Sequence, residues 1–284
     1  MSPRRTVTAG QQLLPGFDAG RAAVLSPSAL ERYRLCPRLY RFLYVDGQRS
    51  RSRMTAPQSF GTTVHAALRE FFRLPVARRS LDGLLELFKR SWVREGYRNA
   101  AEQDRERARG VEALRAWYER ADTTVVPQAT ELSLQAAWRG VVFKGRLDRV
   151  DADRGPVGVG ARNGGGNGGG LVVVDYKTGR RPVTQAAADA DEALTIYAAL
   201  VERRLERPVT GLVLDFVVAG EQIRTERPPE VLRERLGEIL DVAATLRKDE
   251  RFTPRTGPWC ASCEMLGLCP EGQREIGRRA AELD

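Results

Sequence analysis

Lysine and histidine are scarce in this basic sequence. Only four of its 46 Lys and Arg residues are lysine, and His65 is the only histidine. The formal net charge is nevertheless +9, and ten arginines fall within residues 1–53. A basic surface of this kind favours an anionic partner, of which nucleic acid is the commonest. Because arginine supplies almost all of the positive charge, a lysine indicates a position that needs a compact ammonium group.

Long apolar runs and nucleotide-binding loops are missing as well. The sequence has no run of roughly 18 apolar residues that could cross a bilayer, and its start lacks the apolar segment of a signal peptide. We therefore expect a cytoplasmic protein without membrane contact. The absence of a Gly-x-x-x-x-Gly-Lys-Ser/Thr loop argues against an ATP-driven motor in this chain. The 42% hydrophobic and 29% charged content is that of an ordinary globular protein, so we expect one large domain.

The first part of the chain has the pattern of helices. Ser28 begins a helix-capping signal, and we expect a helix from about residue 28 that carries Cys36. Residues 60–73 repeat apolar side chains at helical spacing, with His65 beside the apolar stripe. Residues 81–120 are rich in helix-forming residues and predict two helices with a short break.

Strand patterns follow. The segments TELSLQAAW, VVFKGRLDRVDA and LVVVDYKT alternate or run apolar with β-branched residues, which is typical of strands. Residues 155–170 between the last two contain nine glycines and enter a strand, so they indicate a flexible connection rather than a phosphate cradle. The remainder predicts a helix over 185–205, a strand at GLVLDFVV, a helix over 229–247 and an irregular tail. The whole pattern predicts an α/β fold with a mixed central β-sheet flanked by helices.

Two aspartates and a lysine lie near the predicted ends of two strands. Asp148 follows FKGRL, and Asp175 closes LVVVD with Lys177 two residues later. Side chains alternate along a strand, so Asp175 and Lys177 should point to one face, and pairing of the strands would bring the carboxylates together. A turn at a strand end explains either aspartate alone. Together with the rare lysine they predict a site for Mg²⁺ or Mn²⁺, since close carboxylates repel one another unless a cation lies between them.

A series of motifs gives the chain a family resemblance over nearly its whole length. SPSALERYRLCP, FGTTVH, FKGRLDRVD, VVDYKTG and a terminal cysteine cluster, in this order, resemble the RecB-type nuclease domain of the PD-(D/E)XK superfamily. The resemblance implies a restriction-endonuclease-like core. It also implies that Asp148, Asp175 and Lys177 are catalytic. The implied metal ligands are His65, Asp148, Asp175 and the carbonyl of Tyr176.

Two further residues are accessory candidates by the same resemblance. Glu131 resembles an acidic position of some members, although a solvent-facing strand residue would look the same. Tyr197 resembles the tyrosine of the family's Gln-Leu-x-x-Tyr pattern, which implies a contact with DNA or with the active site. Ala193 stands where that pattern has glutamine. This departure leaves the expected metal-binding residues unchanged.

The resemblance implies a metal-dependent deoxyribonuclease that hydrolyses phosphodiesters to 5′-phosphate products. We expect an exonuclease of DNA repair or recombination that prefers single-stranded DNA, and a separate helicase as a further partner, because this chain has no ATP-binding loop. Two alternatives stay open. One is a non-catalytic DNA-binding or scaffold subunit of a helicase–nuclease complex. The other is a zinc-stabilised RNA-processing nuclease, since a basic cleft does not distinguish the two sugars.

The four cysteines favour metal ligands or buried thiols over disulfides in a reducing compartment. Cys260, Cys263 and Cys269 form a C-x2-C-x5-C pattern, and Cys36 lies far from them in the sequence. Four thiolates can hold zinc or an iron–sulfur cluster, and the presence of a single C-x2-C knuckle argues against a zinc ribbon. The arrangement resembles the iron–sulfur staple of AddB-like nucleases. This implies a [4Fe-4S] cluster, with Zn²⁺ as the alternative.

The sequence predicts three segments. Residues 1–24 are expected to form a flexible basic tail. The nuclease domain is expected over residues 25–255, with a helical insertion at 81–120 and the glycine-rich loop at 155–170. Residues 256–284 are expected to form a cysteine-bearing segment that pairs with Cys36.

Overall fold

The computed structural model describes residues 23–48, 54–154 and 169–282. Nearly all of the basic N-terminal tail and most of the glycine-rich loop lie outside these residues, so the expectations for both stay predictions. Within the described ranges, no helix combines the length and the apolar character needed to span a membrane.

A mixed sheet of six strands lies at the centre of the described residues. The strands follow the order β1-β3-β4-β5-β6, and β2 pairs with β3. The pairs β1–β3 and β4–β5 are parallel, and the other pairs are antiparallel. The predicted α/β fold with a mixed central sheet is confirmed. The strands are β1 (Ala23–Leu25), β2 (Ala129–Trp138), β3 (Val141–Ala152), β4 (Leu171–Lys177), β5 (Val209–Phe216) and β6 (Glu221–Thr225).

Helices cover both faces of this sheet. Helices α3, α4 and α5 share an apolar core with one face of β4, whereas α7 and α8 cover the opposite face. A π-helical turn, Arg41–Val45, follows α2. The described helices are α1 (Pro27–Leu35), α2 (Pro37–Tyr40), α3 (Ala56–Arg73), α4 (Leu81–Arg90), α5 (Ala100–Arg120), α6 (Gln185–Asp189), α7 (Glu192–Leu205), α8 (Pro229–Lys248) and α9 (Pro270–Ala281).

The apolar run of β4 explains its central place. Val172 and Val174 belong to the core that contains α3 and α5, whereas Leu171 and Val173 belong to the core that contains α7. All four side chains are buried, as a strand covered on both faces requires. The polar C-terminal end of this internal strand therefore lies between two helical layers.

Strand β3 has two partners along one edge and a gap between them. β2 occupies the other edge of β3 along Val141–Val150. β1 pairs with residues 141–143 of β3, and β4 pairs with residues 149–152. Among the described strands, none pairs with residues 144–148 on this second edge. We call this stretch the β3 gap, and Asp148 is its last residue.

The start and the end of α1 differ from the prediction. Ser26, rather than Ser28, caps the helix, because its side chain accepts a hydrogen bond from the N–H of Ala29. The helix also ends at Leu35, so the expectation that Cys36 lies on it was wrong. Cys36 has an extended backbone between α1 and α2, where Pro37 begins the next helix.

Other differences concern short elements and caps. Helix α3 begins at Ala56, before the expected start, because Thr55 and Gln58 form a capping box. The helix expected over 185–205 is two helices, and Asp191 caps the second. The tail expected to be irregular contains α9. The sequence analysis also missed β1 and β6, which have three and five residues and show too little alternation to stand out.

Candidate active site

Strands β3 and β4 bring the two predicted aspartates to the end of the β3 gap. The antiparallel register pairs Arg149 with Val174, so Asp148 and Asp175 are the next residues on the two strands. Neither aspartate ends its strand as expected, because β3 continues beyond Asp148 and β4 continues to Lys177. Both carboxylates are largely buried, with exposed side-chain fractions of 12% and 14%.

Asp175 and Lys177 point to the same face, as strand alternation predicted. Nζ of Lys177 lies 2.6 Å from Oδ2 of Asp175. Burial raises the pKa of Asp175 and the charge of Asp148 raises it further, against the opposing effect of Lys177. Burial acts to lower the pKa of Lys177, but Asp175 outweighs this effect and the lysine pKa is raised. Removal of water from two neighbouring carboxylates favours a cation beside them.

Asp148 is held from two sides. Nδ1 of His65 lies 3.0 Å from Oδ1 of Asp148, and the backbone N–H of Tyr176 donates to Oδ2 at 2.9 Å. His65 reaches this position because the neighbouring stripe of α3, with Val64 and Leu68, is buried in the core. Burial acts to lower the pKa of His65, but the hydrogen bond and the charge of Asp148 outweigh it and raise the histidine pKa.

Glu131 lies level with Asp148 on the neighbouring strand β2. The register places it between the pairs Thr130–Arg149 and Leu132–Leu147, and its backbone is left-handed with φ 53°. This conformation is strained for a non-glycine residue in a strand. The glutamate carboxylate forms ion pairs with Arg146 at 3.0 Å and Arg69 at 3.9 Å. Its side chain is only 14% exposed, so the interpretation as a solvent-facing residue was wrong.

Tyr197 lies on α7 against the β3 gap. A Cβ atom built on Gly145 would come within 2.9 Å of its ring, so the absence of a side chain at Gly145 makes room for the tyrosine. Burial raises the pKa of Tyr197, and the negative charges of Asp175 and Asp148 raise it further. Ala193, where the family pattern has glutamine, lies at the start of α7 and is partly buried.

The sequence analysis missed a buried polar link beneath the aspartates. Arg149 follows Asp148 and is 9% exposed, and its Nη1 donates to the hydroxyl of Tyr176 at 2.7 Å. The same guanidinium pairs with Asp151 and lies 4.2 Å from the centre of the Phe72 ring. The only sequence signal was an arginine within a predicted strand, and such a position gives no indication of its partner.

All four cysteines line one cavity of about 220 Å³ between α1, α2 and the segment before α9. Cys260 and Cys269 are buried, and none of the four forms a disulfide. Sγ of Cys36 accepts a hydrogen bond from the backbone N–H of Arg255 at 3.4 Å. Sγ of Cys269 accepts one from Gly272 at 3.4 Å, which caps α9. The thiols therefore face a common space that joins distant parts of the sequence.

Neither cluster is arranged as a finished metal site. Over residues 23–48, 54–154 and 169–282, no group of three or more His, Cys, Asp or Glu side chains is placed to hold a metal ion. In the aspartate cluster, the candidate ligands pair with neighbours instead: His65 with Asp148, and Asp175 with Lys177. The donor types nevertheless fit their expected groups, since carboxylate oxygen suits Mg²⁺ or Mn²⁺ and thiolate suits zinc or iron.

The mixed sheet brings two largely buried carboxylates and an ammonium group together at one end of β4, and such a group of residues can act on a phosphodiester. The family model of the PD-(D/E)XK nuclease superfamily matches residues 24–270, and the chain belongs to this superfamily. The match includes Asp148, Asp175 and Lys177, but it does not extend to the RecB-type or AddB-like resemblance, which stays a prediction. A comparison with curated proteins gives no significant match.

Solved structures with a similar chain path are distant in sequence. One is the crystal structure of a protein from Eubacterium rectale described as a candidate exonuclease. It is 13% identical, covers 84% of this chain and 86% of its own, and has a TM-score of 0.47. Another, described as SSO0001, is 15% identical, covers 87% of this chain and 85% of its own, and has a TM-score of 0.38.

Proposed function

We propose that the protein is a metal-dependent nuclease that degrades single-stranded DNA from an end. One observation supports the cutting chemistry above all: Asp148, Asp175 and Lys177 meet at the β3 gap with His65 beside them. Two neighbouring, largely buried carboxylates are costly to keep in a fold without a cation. The family membership makes a phosphodiester the natural target for this cluster.

Each residue has a separate task in this proposal. Asp148, Asp175 and the carbonyl of Tyr176 would hold Mg²⁺ or Mn²⁺, with His65 as a nitrogen ligand. Such an ion polarises a phosphodiester and makes water a better nucleophile. Lys177 positions the attacking water or stabilises charge that develops on the phosphate oxygens. Without the ion, Lys177 contacts Asp175 and His65 contacts Asp148, and we expect both side chains to move when the ion binds.

The proposed products carry a 5′-phosphate and a 3′-hydroxyl, and the proposed setting is DNA repair or recombination with a separate helicase. The basic composition supports phosphate binding without sequence preference, which salt should weaken steeply. Since a strand that enters from an end needs a free terminus, circular single strands should resist cutting.

The cysteine cavity supports a second proposal, a structural [4Fe-4S] cluster held by Cys36, Cys260, Cys263 and Cys269. All four thiols line the same space and come from both ends of the described chain. Zinc is the alternative occupant. The proposed role is to join α1 to the segment around α9, because ligands from distant positions close a long loop at little additional entropic cost.

Cleavage assays test the nuclease proposal. Linear single-stranded DNA, circular single-stranded DNA, matched duplex and single-stranded RNA are incubated with Mg²⁺, Mn²⁺, Ca²⁺ or a chelator. We expect linear single strands to be cut fastest in Mg²⁺ and Mn²⁺ and not in Ca²⁺, whose longer, looser coordination positions water and phosphate poorly. His65→Ala should reduce the Mn²⁺ reaction more than the Mg²⁺ reaction, since nitrogen is the softer ligand.

Other outcomes of these assays would contradict the proposal. Rapid cutting of circles would exclude an obligate exonuclease, and faster cutting of RNA would favour the RNA-processing alternative. Tight DNA binding with no cutting in any metal would identify a non-catalytic binding subunit.

A further inference from the structure

The β3 gap opens into a cavity of about 490 Å³ next to the candidate active site. Its walls come from the start of α1 and its cap, from β2 and β3, and from α7, and they include Ser26, Ser28, Gly145 and Tyr197. The cavity exists because β1 leaves the edge of β3 after residue 143 and β4 joins it only at residue 149. This volume is within the range of small-molecule pockets and can admit one nucleotide.

The charge of this cavity favours an anion. Lys144 and Arg146 line it, and its lining includes no carboxylate. Two other cavities differ in this respect, because Glu264 lines the cysteine cavity and Glu102 and Glu106 line a cavity beside α5. A phosphate would meet attraction here without opposing carboxylates in the wall.

Lys144 is available to a ligand. It is exposed, and among the described residues it forms no hydrogen bond or ion pair. Arg146 pairs with Glu131 through its Nε at 3.0 Å, which fixes the guanidinium beside the cavity while 72% of the side chain stays exposed. In a chain that uses arginine for nearly all of its positive charge, this unpaired lysine on the strand of Asp148 stands out.

The cavity also has an aromatic wall close to the two aspartates. The ring of Tyr197 rests on Gly145 and lines the cavity, and Gly145 lies three residues before Asp148 on β3. Along β3, Arg146 is two residues from Asp148, roughly 7 Å at the rise of a strand, and Lys144 is four residues away, roughly 13 Å. A nucleotide in the cavity would therefore adjoin a phosphodiester held at the aspartates. An aromatic ring can stack any base, so it would hold the nucleotide without selecting a sequence.

We infer that this cavity binds the nucleotide adjacent to the scissile phosphodiester, with its phosphate on Lys144 and Arg146 and its base against Tyr197. The inference rests on the proposed nuclease function. Such a nucleotide must have left the base stack, which costs little in a single strand and more in a duplex. The cavity would thereby select single strands and frayed ends.

The first test measures binding without cutting. Fluorescence anisotropy with a labelled oligodeoxythymidine in Ca²⁺ compares the wild-type protein with Lys144→Ala and with the matched control Lys248→Ala, which removes another exposed lysine. We expect Lys144→Ala to weaken binding about tenfold at low salt and to reduce the salt dependence by about one phosphate contact. Equal affinities for the two variants would overturn the inference, and this result does not depend on whether the protein cuts DNA.

The second test locates the base. A set of oligodeoxythymidines with one abasic site at successive positions is cut in Mn²⁺. We expect one abasic position, next to the cleaved bond, to slow cutting about tenfold in the wild type and in Tyr197→Phe. In Tyr197→Ala, whose fold is checked by circular dichroism, the abasic and intact strands should be cut at equal rates. The same slowing at every position, or at none, would overturn the base site. Failure of the wild type to cut any strand would instead reject the nuclease proposal, and the anisotropy test would still decide whether the cavity binds a strand.

Discussion

At the scale of single residues, Asp175 and Lys177 give the most direct prediction. Asp175→Asn and Lys177→Ala should each reduce cleavage by roughly 100- to 1000-fold, because each removes a charge that acts on the reacting phosphate or its metal. Affinity for DNA should largely survive, since other basic side chains bind the phosphates. The measurement is a single-turnover cleavage rate together with binding in Ca²⁺.

Two exposed residues serve as controls for these variants. Asp241→Asn and Lys248→Ala change the same charges on α8, where the Asp241 side chain is 79% exposed. Their cleavage rates should match the wild type. Near wild-type cutting by Asp175→Asn under controlled metal would reject the assignment of the active site.

Two hydrogen bonds of Tyr176 join β4 to β3 beside the aspartates. Arg149 follows Asp148 and donates to the Tyr176 hydroxyl, while the Tyr176 backbone N–H donates to Asp148. Tyr176→Phe leaves a buried guanidinium one acceptor short, so we expect the free energy of unfolding to fall by about 1–3 kcal/mol. Cleavage should fall as well, because the two aspartates lose part of their alignment. Urea unfolding and the cleavage rate measure the two effects.

Tyr97→Phe is the matched control for this prediction. The Tyr97 hydroxyl is also buried, but it has no hydrogen-bond partner among the described residues. Its removal should leave stability unchanged or slightly higher, since a buried polar atom without a partner is unfavourable. Equal stability losses in Tyr97→Phe and Tyr176→Phe would mean that the hydroxyl bond of Tyr176 contributes nothing.

How far single residues could be predicted depends on the chemistry of each one. Lys177 stood out because lysine is rare here, and strand alternation correctly placed it beside Asp175. Glu131 was an accessory candidate by family resemblance alone, and Arg149 was not predicted. The left-handed backbone of Glu131 and the hydrogen bond from Arg149 to Tyr176 both arise from three-dimensional packing. The spacing of residues along the chain therefore predicts neither feature.

At the scale of elements, long segments were predictable and short ones were not. The bounds of β3 and the two helices within residues 81–120 agree with the sequence pattern. The missed strand β1 has three residues, and only its pairing with β3 makes it a strand. The sequence did not settle which serine caps α1, because Ser26 and Ser28 are both good caps. Pro27 fits the first helical position, and this favours Ser26 as the cap.

Helices α4 and α5, which were expected to form an insertion, pack into the same core as α3 and β4. Leu84, Phe88 and Trp117 share one buried core with α3 and β4. Nε1 of Trp117 donates to the buried carboxylate of Asp215 on β5 at 2.9 Å. The two helices therefore complete one face of the sheet.

The glycine-rich connection between β3 and β4 gives a prediction at the same scale. Replacement of residues 160–169 by a short turn should leave the cleavage rate within about twofold, because the free energy of loop closure changes only slowly with loop length. The pairing of β3 with β4 extends to the two ends of this connection, where the N–H of Asp153 donates to the carbonyl of Gly170 at 2.9 Å. Circular dichroism and single-turnover cleavage measure the outcome. A large loss of cutting with an intact fold would mean that the loop contacts the substrate.

At the scale of the whole molecule, the cysteine cavity joins parts of the chain that are distant in sequence. If it holds a cluster, protein purified without oxygen should be brown and contain iron and sulfide. Cys36→Ser and Cys263→Ser should then lose the colour and much of the soluble yield, because the α1–α9 connection loosens. Metal and sulfide analysis of the same sample is the measurement. Stoichiometric zinc without iron would assign the site to zinc instead.

A control separates ligation from packing at these positions. Ser262→Ala, which lies beside Cys263 and also lines the cavity, should keep the metal content of the wild type. Serine in place of cysteine preserves shape but cannot replace a thiolate ligand. Equal metal content in Cys263→Ser and in the wild type would reject ligation by Cys263.

The contact between Cys36 and Arg255 also sets an order of events on the ribosome. Their hydrogen bond joins positions 219 residues apart. At roughly 5–20 residues per second, translation needs about ten to forty seconds to span that interval. During this time the central strands of the nascent chain can begin to pair. The segment around Arg255, which packs beside Cys36, has not yet been synthesised, so the thiol of Cys36 stays accessible. The C-terminal part of the cavity wall is therefore added last to the N-terminal part that contains Cys36. Any inorganic cofactor of this cavity must then be inserted late in the maturation of the protein.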